Sequence, residues 1–321
     1  MNNKNESVVL IGGGGGVYRV ARFLKHLRSN ITTIQTVFDH GRHSGELRDE
    51  RGMLPPGDIR QAILALADDQ SEPMLRQLMA FRFAPKNGSS LDDATVGNIL
   101  LTALTEITGN INDAISILSR WCGVKGKVLP VSLDDADLCV KLNDGEILCG
   151  EDKIDARSIS DDRTIISAHL KPSARIYEEA REAILRAGKI VFCPGDLYTS
   201  LIPNTLVSGF KEAVNESKAK LIFAVNIMTK KAETPNFSAS QFAKIVLSHI
   251  GKEKFDYVIV NNAPIRPYLL ERYRKEKSEP VRIDREELSR VAKKVILENV
   301  VDQTSEIVRH NESIAHIIAR I

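Results

Sequence analysis

Short apolar runs bounded by turn residues recur along the chain. Val8-Val9-Leu10-Ile11 comes first, and Thr32 to Phe38, Lys189-Ile190-Val191-Phe192, Leu221 to Val225 and Tyr257 to Val260 follow. Runs without polar alternation are the pattern of strands buried on both faces. Between them, apolar residues recur at helical spacing over Val17–Arg28, Ile59–Leu66, Val96–Leu104, Asp113–Leu118, Ala174–Ala187 and Ser240–Ile250. Strands alternating with helices imply βαβ crossovers. The expected fold class is therefore α/β, a doubly wound, mostly parallel sheet with helices on both faces.

One segment departs from this pattern. Leu138–Leu142 and Glu146–Cys149 flank Asn143-Asp144-Gly145, a hairpin turn signal. With Val128–Leu133 before it and Thr164–Leu170 after it, residues 128–170 read as an antiparallel, β-rich insertion. From Arg285 on, Leu288, Val291, Val295, Ile307, Ile314, Ile317 and Ile318 have a spacing that predicts a C-terminal helical segment over 285–321. No internal repeat interrupts the pattern, so residues 1–321 read as a single domain with that insertion inside it.

Composition narrows the classes. Forty-three per cent of the residues are hydrophobic and 27% charged, a globular balance. Forty-four Lys+Arg against 42 Asp+Glu leave a formal charge of +2, which argues against nucleic acid held by bulk charge. Aromatics at 5% make a base-stacking platform a poor expectation. No apolar run is long enough to span a membrane, and the polar start Met1–Glu6 does not resemble a signal peptide. The four cysteines lack CxxC spacing and read as reduced thiols of a cytoplasmic protein.

In open α/β sheets, ligands bind beyond the carboxyl ends of the strands. There the sequence places Gly12–Gly16, then Asp39-His40-Gly41-Arg42-His43-Ser44-Gly45, then Cys193-Pro194-Gly195-Asp196-Leu197-Tyr198-Thr199-Ser200, then Asn226 with Thr229, and finally Asn261-Asn262. Gly13, Gly14, Gly15 and Gly16 suit an anion cradle, because backbone without side chains approaches a phosphate closely and the following helix offers N–H groups. A plain tight turn is the alternative. The dinucleotide G-x-G-x-x-G fingerprint fails in every register, and no Gly-Lys-Ser/Thr follows to make a P-loop. Asp39, His40 and His43 are spaced to share a metal. Arg42 and the two histidines equally suit phosphate donors, and a solvated loop explains them as well. Asp58 fits a helix N-cap or first-turn acid, and Arg60 fits a bidentate phosphate ligand. Asn98 follows a glycine at another helix entry. Tyr198, Thr199 and Ser200 offer hydroxyls at a helix start, for phosphate, sugar or capping. Asn226 and Asn261 each carry a donor and an acceptor suited to a base or sugar edge.

Taken together these strings resemble the YvcK/CofD-like family, the gluconeogenesis factor and 2-phospho-L-lactate transferase relatives. The resemblance is carried by the glycine loop, Asp39–Arg48, Leu54-Pro55-Pro56-Gly57-Asp58-Ile59-Arg60, Gly97-Asn98, Pro194-Gly195, Leu197-Tyr198-Thr199-Ser200, Asn226-Ile227-Met228-Thr229 and Val260-Asn261-Asn262. It is closer to the YvcK branch. It implies a Rossmann-like fold, a homodimer and a cytoplasmic protein that binds a nucleotide or nucleotide sugar, such as a UDP-sugar. The role implied is regulatory, in carbon metabolism and cell-envelope growth. The CofD branch implies the alternative, a phospholactyl transferase using a nucleoside diphosphate donor with Mg²⁺. By position, Gly13–Gly16 would face phosphates and Asp39 would lie near them or hold the metal. Gly195 and Tyr198–Ser200 would line the same cleft, with Asn226 and Asn261 at its floor, and Pro194, Asp196 and Thr229 are further candidate ligand contacts. Departures fall at His40, Arg42 and His43, where the family has Asp, Gly and Ser, and at Lys230-Lys231-Ala232, where it has Gln-Pro-Gly. An acidic pair thereby becomes Asp-His. A hard cation prefers oxygen ligands, so the change weighs against Mg²⁺ and leaves Arg42 to offset phosphate charge.

Overall fold

A computed structural model describes residues 6–38, 54–69, 73–86 and 91–321. Asp39, His40, Arg42, His43 and Ser44 lie outside the described residues. The first apolar run forms strand β1 (Val8–Gly12), followed by helix α1 (Gly14–Leu24) and strand β2 (Ile31–Gln35). Among the described residues, four helices come next: α2 (Gly57–Leu66), α3 (Pro73–Ala80), α4 (Val96–Thr108) and α5 (Ile111–Trp121). Strand β3 (Lys127–Pro130) ends this half. Strands β4 (Asp137–Leu142), β5 (Ile147–Cys149) and β6 (Ile165–Lys171) make a separate antiparallel sheet, with the one-turn helix α6 (Glu151–Asp155) after β5.

The second half contains helix α7 (Glu178–Leu185) and strand β7 (Lys189–Phe192). A π-helical turn over Leu197–Leu201 then runs into α8 (Ile202–Thr205) and α9 (Phe210–Glu216). Next come β8 (Lys220–Ala224), α10 (Ala239–Ile250), β9 (Phe255–Asn261), α11 (Pro267–Lys275), α12 (Arg285–Val291) and β10 (Ala292–Glu298). A short β11–β12 ribbon (Val301–Asp302, Arg309–His310) and α13 (Ser313–Arg320) close the chain.

The central sheet has seven strands in the order β10-β9-β8-β7-β1-β2-β3, with every pairing parallel. This is the doubly wound α/β architecture expected. Every residue of β1 and β7 is buried, as strands covered on both faces require. Phe192, Phe223 and Phe255 form a run of aromatic contacts across β7, β8 and β9, with ring centroids 5.8 and 5.3 Å apart. Helix α1 packs on α2 and α13, whereas α7, α9, α10 and α12 pack in succession on the other side. The chain order reverses between β1 and β7. That reversal opens the crevice where ligands of such sheets bind.

Three expectations are corrected. The segment 285–321 is helical only at its ends, because residues 292–298 pair with β9 as the outermost strand of the main sheet. Apolar spacing there was compatible with a helix, and strand pairing decided the outcome. Within 128–170, β3 extends the parallel sheet beside β2, so only β4, β5 and β6 are antiparallel. Cys139 and Cys149 are joined in a disulfide, while Cys122 and Cys193 are buried thiols outside it. The hairpin explains the pairing: with Asp144 in its turn, residues 139 and 149 stand directly opposite across β4 and β5.

Candidate functional site

The glycine loop is built by two constraints. Gly14 has φ +52°, a left-handed conformation that glycine adopts without strain. A methyl group on Gly16 would lie 1.5 Å from the Pro194 carbonyl oxygen, so glycine lets the first turn of α1 lie against the loop after β7. Among the described residues, nothing lies within 4 Å of the Gly15 Cβ position, and Gly15 is exposed. The N-cap residue of α1, Gly13, has no side chain to cap with, the first turn of α1 carries no acid of its own, and the Asp58 carboxylate lies against Gly13. Gly15 and Gly16 of that first turn line the crevice, so the positive dipole end of α1 lies beside it.

The crevice is a cleft of about 180 Å³. Gly15, Gly16, Pro194, Gly195 and Asn226 line it, together with Arg19, Ile227, Met228, Val308, Arg309 and His310. Arg19 comes from α1 and Arg309 from the β12 ribbon. Burial, and then the charge of Arg309, hold the Arg19 guanidinium below its usual pKa, while Asp302 3.7 Å away acts in the opposite direction. Two guanidiniums that repel each other beside open backbone donors make a place for an anion. Ile227, Met228 and Val308 supply an apolar wall for a flatter group. His310 is buried with its Nε2 3.2 Å from the Val225 carbonyl oxygen, and burial lowers its pKa to about 4, leaving the ring neutral.

The Asp58 carboxylate lies against the other side of the glycine loop, so close that a methyl on Gly13 would meet Asp58 Oδ2 at 2.3 Å. Asp58 stands in the first turn of α2, as a first-turn acid should. Arg60 is directed elsewhere: its Nε donates to Asn98 Oδ1 at 2.8 Å and it passes over Gly97 toward the Met79 carbonyl. Burial, followed by the charge of Arg82, lowers its pKa to about 10. Arg60 and Asn98 are thus brought together, apart from the cleft lined by Gly15 and Gly16.

The loop after β7 has a different character. Glu233, fully enclosed, accepts from the backbone N–H of Tyr198 at 2.6 Å and of Thr199 at 3.3 Å, and from the Thr199 hydroxyl at 3.0 Å. Ser200 N–H donates to the Asp196 carbonyl oxygen at 2.9 Å. An internal carboxylate therefore occupies the helix start at which an external phosphate was expected. Tyr198 and Thr199 are buried, and burial pushes the Tyr198 phenol up to about 12.

Asn226 lines the cleft with its amide engaged: Nδ2 donates to the Gly195 carbonyl oxygen at 2.7 Å, and Oδ1 accepts from Gly195 N–H at 3.1 Å. Thr229 is tied to the backbone of Glu279, and Asn261 to Ala263 and Val300. These side chains fix the loops that form the cleft. Arg19 was legible in principle, since it follows Gly15 by four residues on one helix face. Arg309 and His310 carried no local signal. They reach the cleft only because the chain returns across the sheet after β10.

Among the described residues, one group of side chains has the spacing of a metal site: Asp155, Asp196 and Glu233, with ligand oxygens within 4.8 Å of one another. Lys230 lies among them, its Nζ 2.6 Å from Asp155, 2.6 Å from Asp196 and 3.0 Å from Glu233. Its ammonium already supplies the cation, so these residues do not fit a resident Mg²⁺. Among the described residues, no helix is long and apolar enough to cross a membrane.

Comparison with known proteins agrees with the fold. Residues 8–301 match the family described as 2-phospho-L-lactate transferase CofD. The chain is 38% identical to the gluconeogenesis factor of Halalkalibacterium halodurans, over 97% of this chain and 94% of that protein. It is 34% identical to the gluconeogenesis factor of Bacillus subtilis, over 95% of this chain and 94% of that one. A crystal structure of a UPF0052-family protein from Bacillus halodurans superposes with a TM-score of 0.91 at 36% identity, covering 99% of this chain and 100% of that one.

Proposed function

Because the chain belongs to the 2-phospho-L-lactate transferase CofD family and its relatives include gluconeogenesis factors, we propose that its cleft binds a nucleotide or nucleotide sugar of the UDP-sugar kind through the diphosphate. The observation that carries this reading is the pairing of Arg19 and Arg309 across a cleft edged by Gly15 and Gly16. The glycine loop gives backbone donors, the arginines give charge, and Ile227, Met228 and Val308 give the base or sugar a dry face. In this reading the protein is a cytoplasmic regulator of carbon metabolism and envelope growth, acting as a homodimer, and ligand binding is its signal.

The transferase described for the family supports a second reading. In it, an acceptor hydroxyl would attack the donor's terminal phosphorus, its proton passing to solvent and the nucleoside monophosphate leaving, while the glycine loop and the arginines position the reactants and stabilise the phosphate charge. A thermal-shift panel separates the two. UDP-sugars, UDP and GDP should raise Tm with concentration, and the parent nucleosides should do so far less. Product formation from a nucleoside diphosphate donor and an acceptor would favour the transferase. Absence of stabilisation by every diphosphate tested would overturn the assignment of the cleft.

A further inference from the structure

We propose that Lys230 is a resident cation: its ammonium takes the place of a divalent metal ion among Asp155, Asp196 and Glu233 and holds the loop after β7 in position beside the cleft without metal.

Three features of the cluster carry this. First, its stoichiometry matches. An ammonium has three N–H donors and no acceptor, and it meets one oxygen from each of three carboxylates at 2.6, 2.6 and 3.0 Å. Second, the carboxylates come from segments that nothing local brings together. Asp155 ends α6 in the antiparallel unit, Asp196 opens the π-helical turn, and Glu233 closes the turn after Thr229. Third, each segment bears on the site. The carbonyl oxygen of Asp196 accepts from Ser200 and Leu201, Glu233 caps Tyr198 and Thr199, and Asp196 directly follows the cleft-lining Gly195.

Three carboxylate oxygens this close repel one another unless a cation stands between them. A hard divalent ion satisfies that demand through oxygen ligands and is lost to chelators. A tethered ammonium satisfies it with a point charge that cannot dissociate. Lys230 is itself anchored: its backbone N–H donates to Thr234 Oγ1 at 3.1 Å, and its carbonyl accepts from Glu233 and Thr234. Arg157 and the Lys231–Asp162 pair lie around the same cluster and extend its charge balance outward. Lys230 is thus a positioning residue. Its ammonium bears on the loop through Asp196, the neighbour of Gly195, and through Glu233, which holds Tyr198 and Thr199. The consequence that the diphosphate binds without metal rests on the reading of the cleft given above. The replacement of a metal by Lys230 does not.

The test adds Mg²⁺, Mn²⁺ or Ca²⁺ alone to the full chain and reads Tm. The wild-type protein should be indifferent to all three and to chelator. Lys230→Ser, which leaves space for an ion, should unfold at lower temperature. Mn²⁺ or Ca²⁺ at a hundredfold excess over Kd should restore it by roughly 5 °C. Lys230→Arg should keep the indifference, and Lys230→Ser with Glu233→Gln should lose the rescue. If the Tm lost in Lys230→Ser is restored by Mn²⁺ or Ca²⁺ and lost again on chelation, the proposal is upheld. Destabilisation that no cation relieves, or a rescue that survives Glu233→Gln, would overturn it. So would a wild-type Tm rise with divalent ions that Glu233→Gln abolishes, a result that needs no Lys230 variant. UDP binding by the wild type, measured with and without chelator, reads the metal-free consequence separately.

Discussion

Two strand-to-helix junctions face each other across the point where the sheet reverses, and both read as phosphate cradles in the sequence. The junction after β1 is the more open: its N-cap is a glycine, its first turn has no acid of its own, and among the described residues nothing meets Gly15, while Asp58 lies against Gly13 on the other side of the loop. The junction after β7 is closed by Glu233, which occupies the Tyr198 and Thr199 N–H groups from within, and Lys230 binds that carboxylate in turn. A helix N-terminus attracts negative charge in either case. Whether the charge comes from a ligand or from the chain depends on a residue more than thirty positions away, which no local motif reports. In the proposed reading, one junction is the site and the other is the wall that shapes it.

The largest test of this division is Glu233→Ala. It leaves two buried N–H groups and an ammonium without their shared acceptor, so unfolding should become easier by about 4 kcal/mol, measured by denaturant titration. If the β7 junction is a wall, diphosphate affinity in the molecules that remain folded should change less than stability does. A gain in phosphate binding at the vacated turn would reverse the assignment of the two junctions.

Glycine substitutions probe the open junction. Gly16→Ala forces a methyl into the Pro194 carbonyl and should cost about 3 kcal/mol. Gly15→Ala adds a methyl to open space inside a helix and should be neutral or stabilising by about 0.5 kcal/mol. Equal costs in denaturant titrations would mean that the close approach of α1 to the β7 loop is mistaken.

A smaller effect is expected from pH. His310 is held neutral in the folded protein, with its pKa lowered from 6.5 to about 4 by burial. Between those values the unfolded chain binds the proton and the folded one does not. Its contribution is therefore complete above pH 6.5 and is lost as pH falls toward 4, amounting to about 2 kcal/mol by pH 5. His310→Gln should remove that part of the slope. An unchanged stability difference between wild type and variant from pH 7 to pH 5 would place His310 outside the buried wall of the cleft.

The sheet was legible in the sequence because its strands are buried on both faces and their runs are unbroken, as at Val8–Ile11 and Lys189–Phe192. Strand β10 was not: Lys293 and Lys294 interrupt its apolar run at the sheet edge, and only pairing with β9 distinguishes it from the helix that precedes it. The disulfide was hidden for a related reason, since Cys139 and Cys149 become partners through hairpin register rather than spacing. In the cleft, Gly15, Gly16, Pro194, Gly195 and Asn226 could be read from strand ends. Of the charged groups that give the cleft its chemistry, Arg19 was legible only through its helix spacing from Gly15, and Arg309 was not legible at all. Arg309 arrives from the far end of the chain, and Asn226, which sequence suggested for reading a base, is occupied with Gly195. Local patterns report what a residue can offer, and only the fold reports whether the offer has already been taken.

The central claim is that the open junction, with Arg19 and Arg309, holds a diphosphate. It is tested most directly by calorimetric titration of UDP and uridine into wild type and Arg19→Ala. UDP should bind the wild type at least about a hundredfold more tightly than uridine, and Arg19→Ala should shrink that ratio about tenfold while leaving uridine unchanged. A ratio that Arg19→Ala leaves intact, or equal losses for both ligands, would contradict the account.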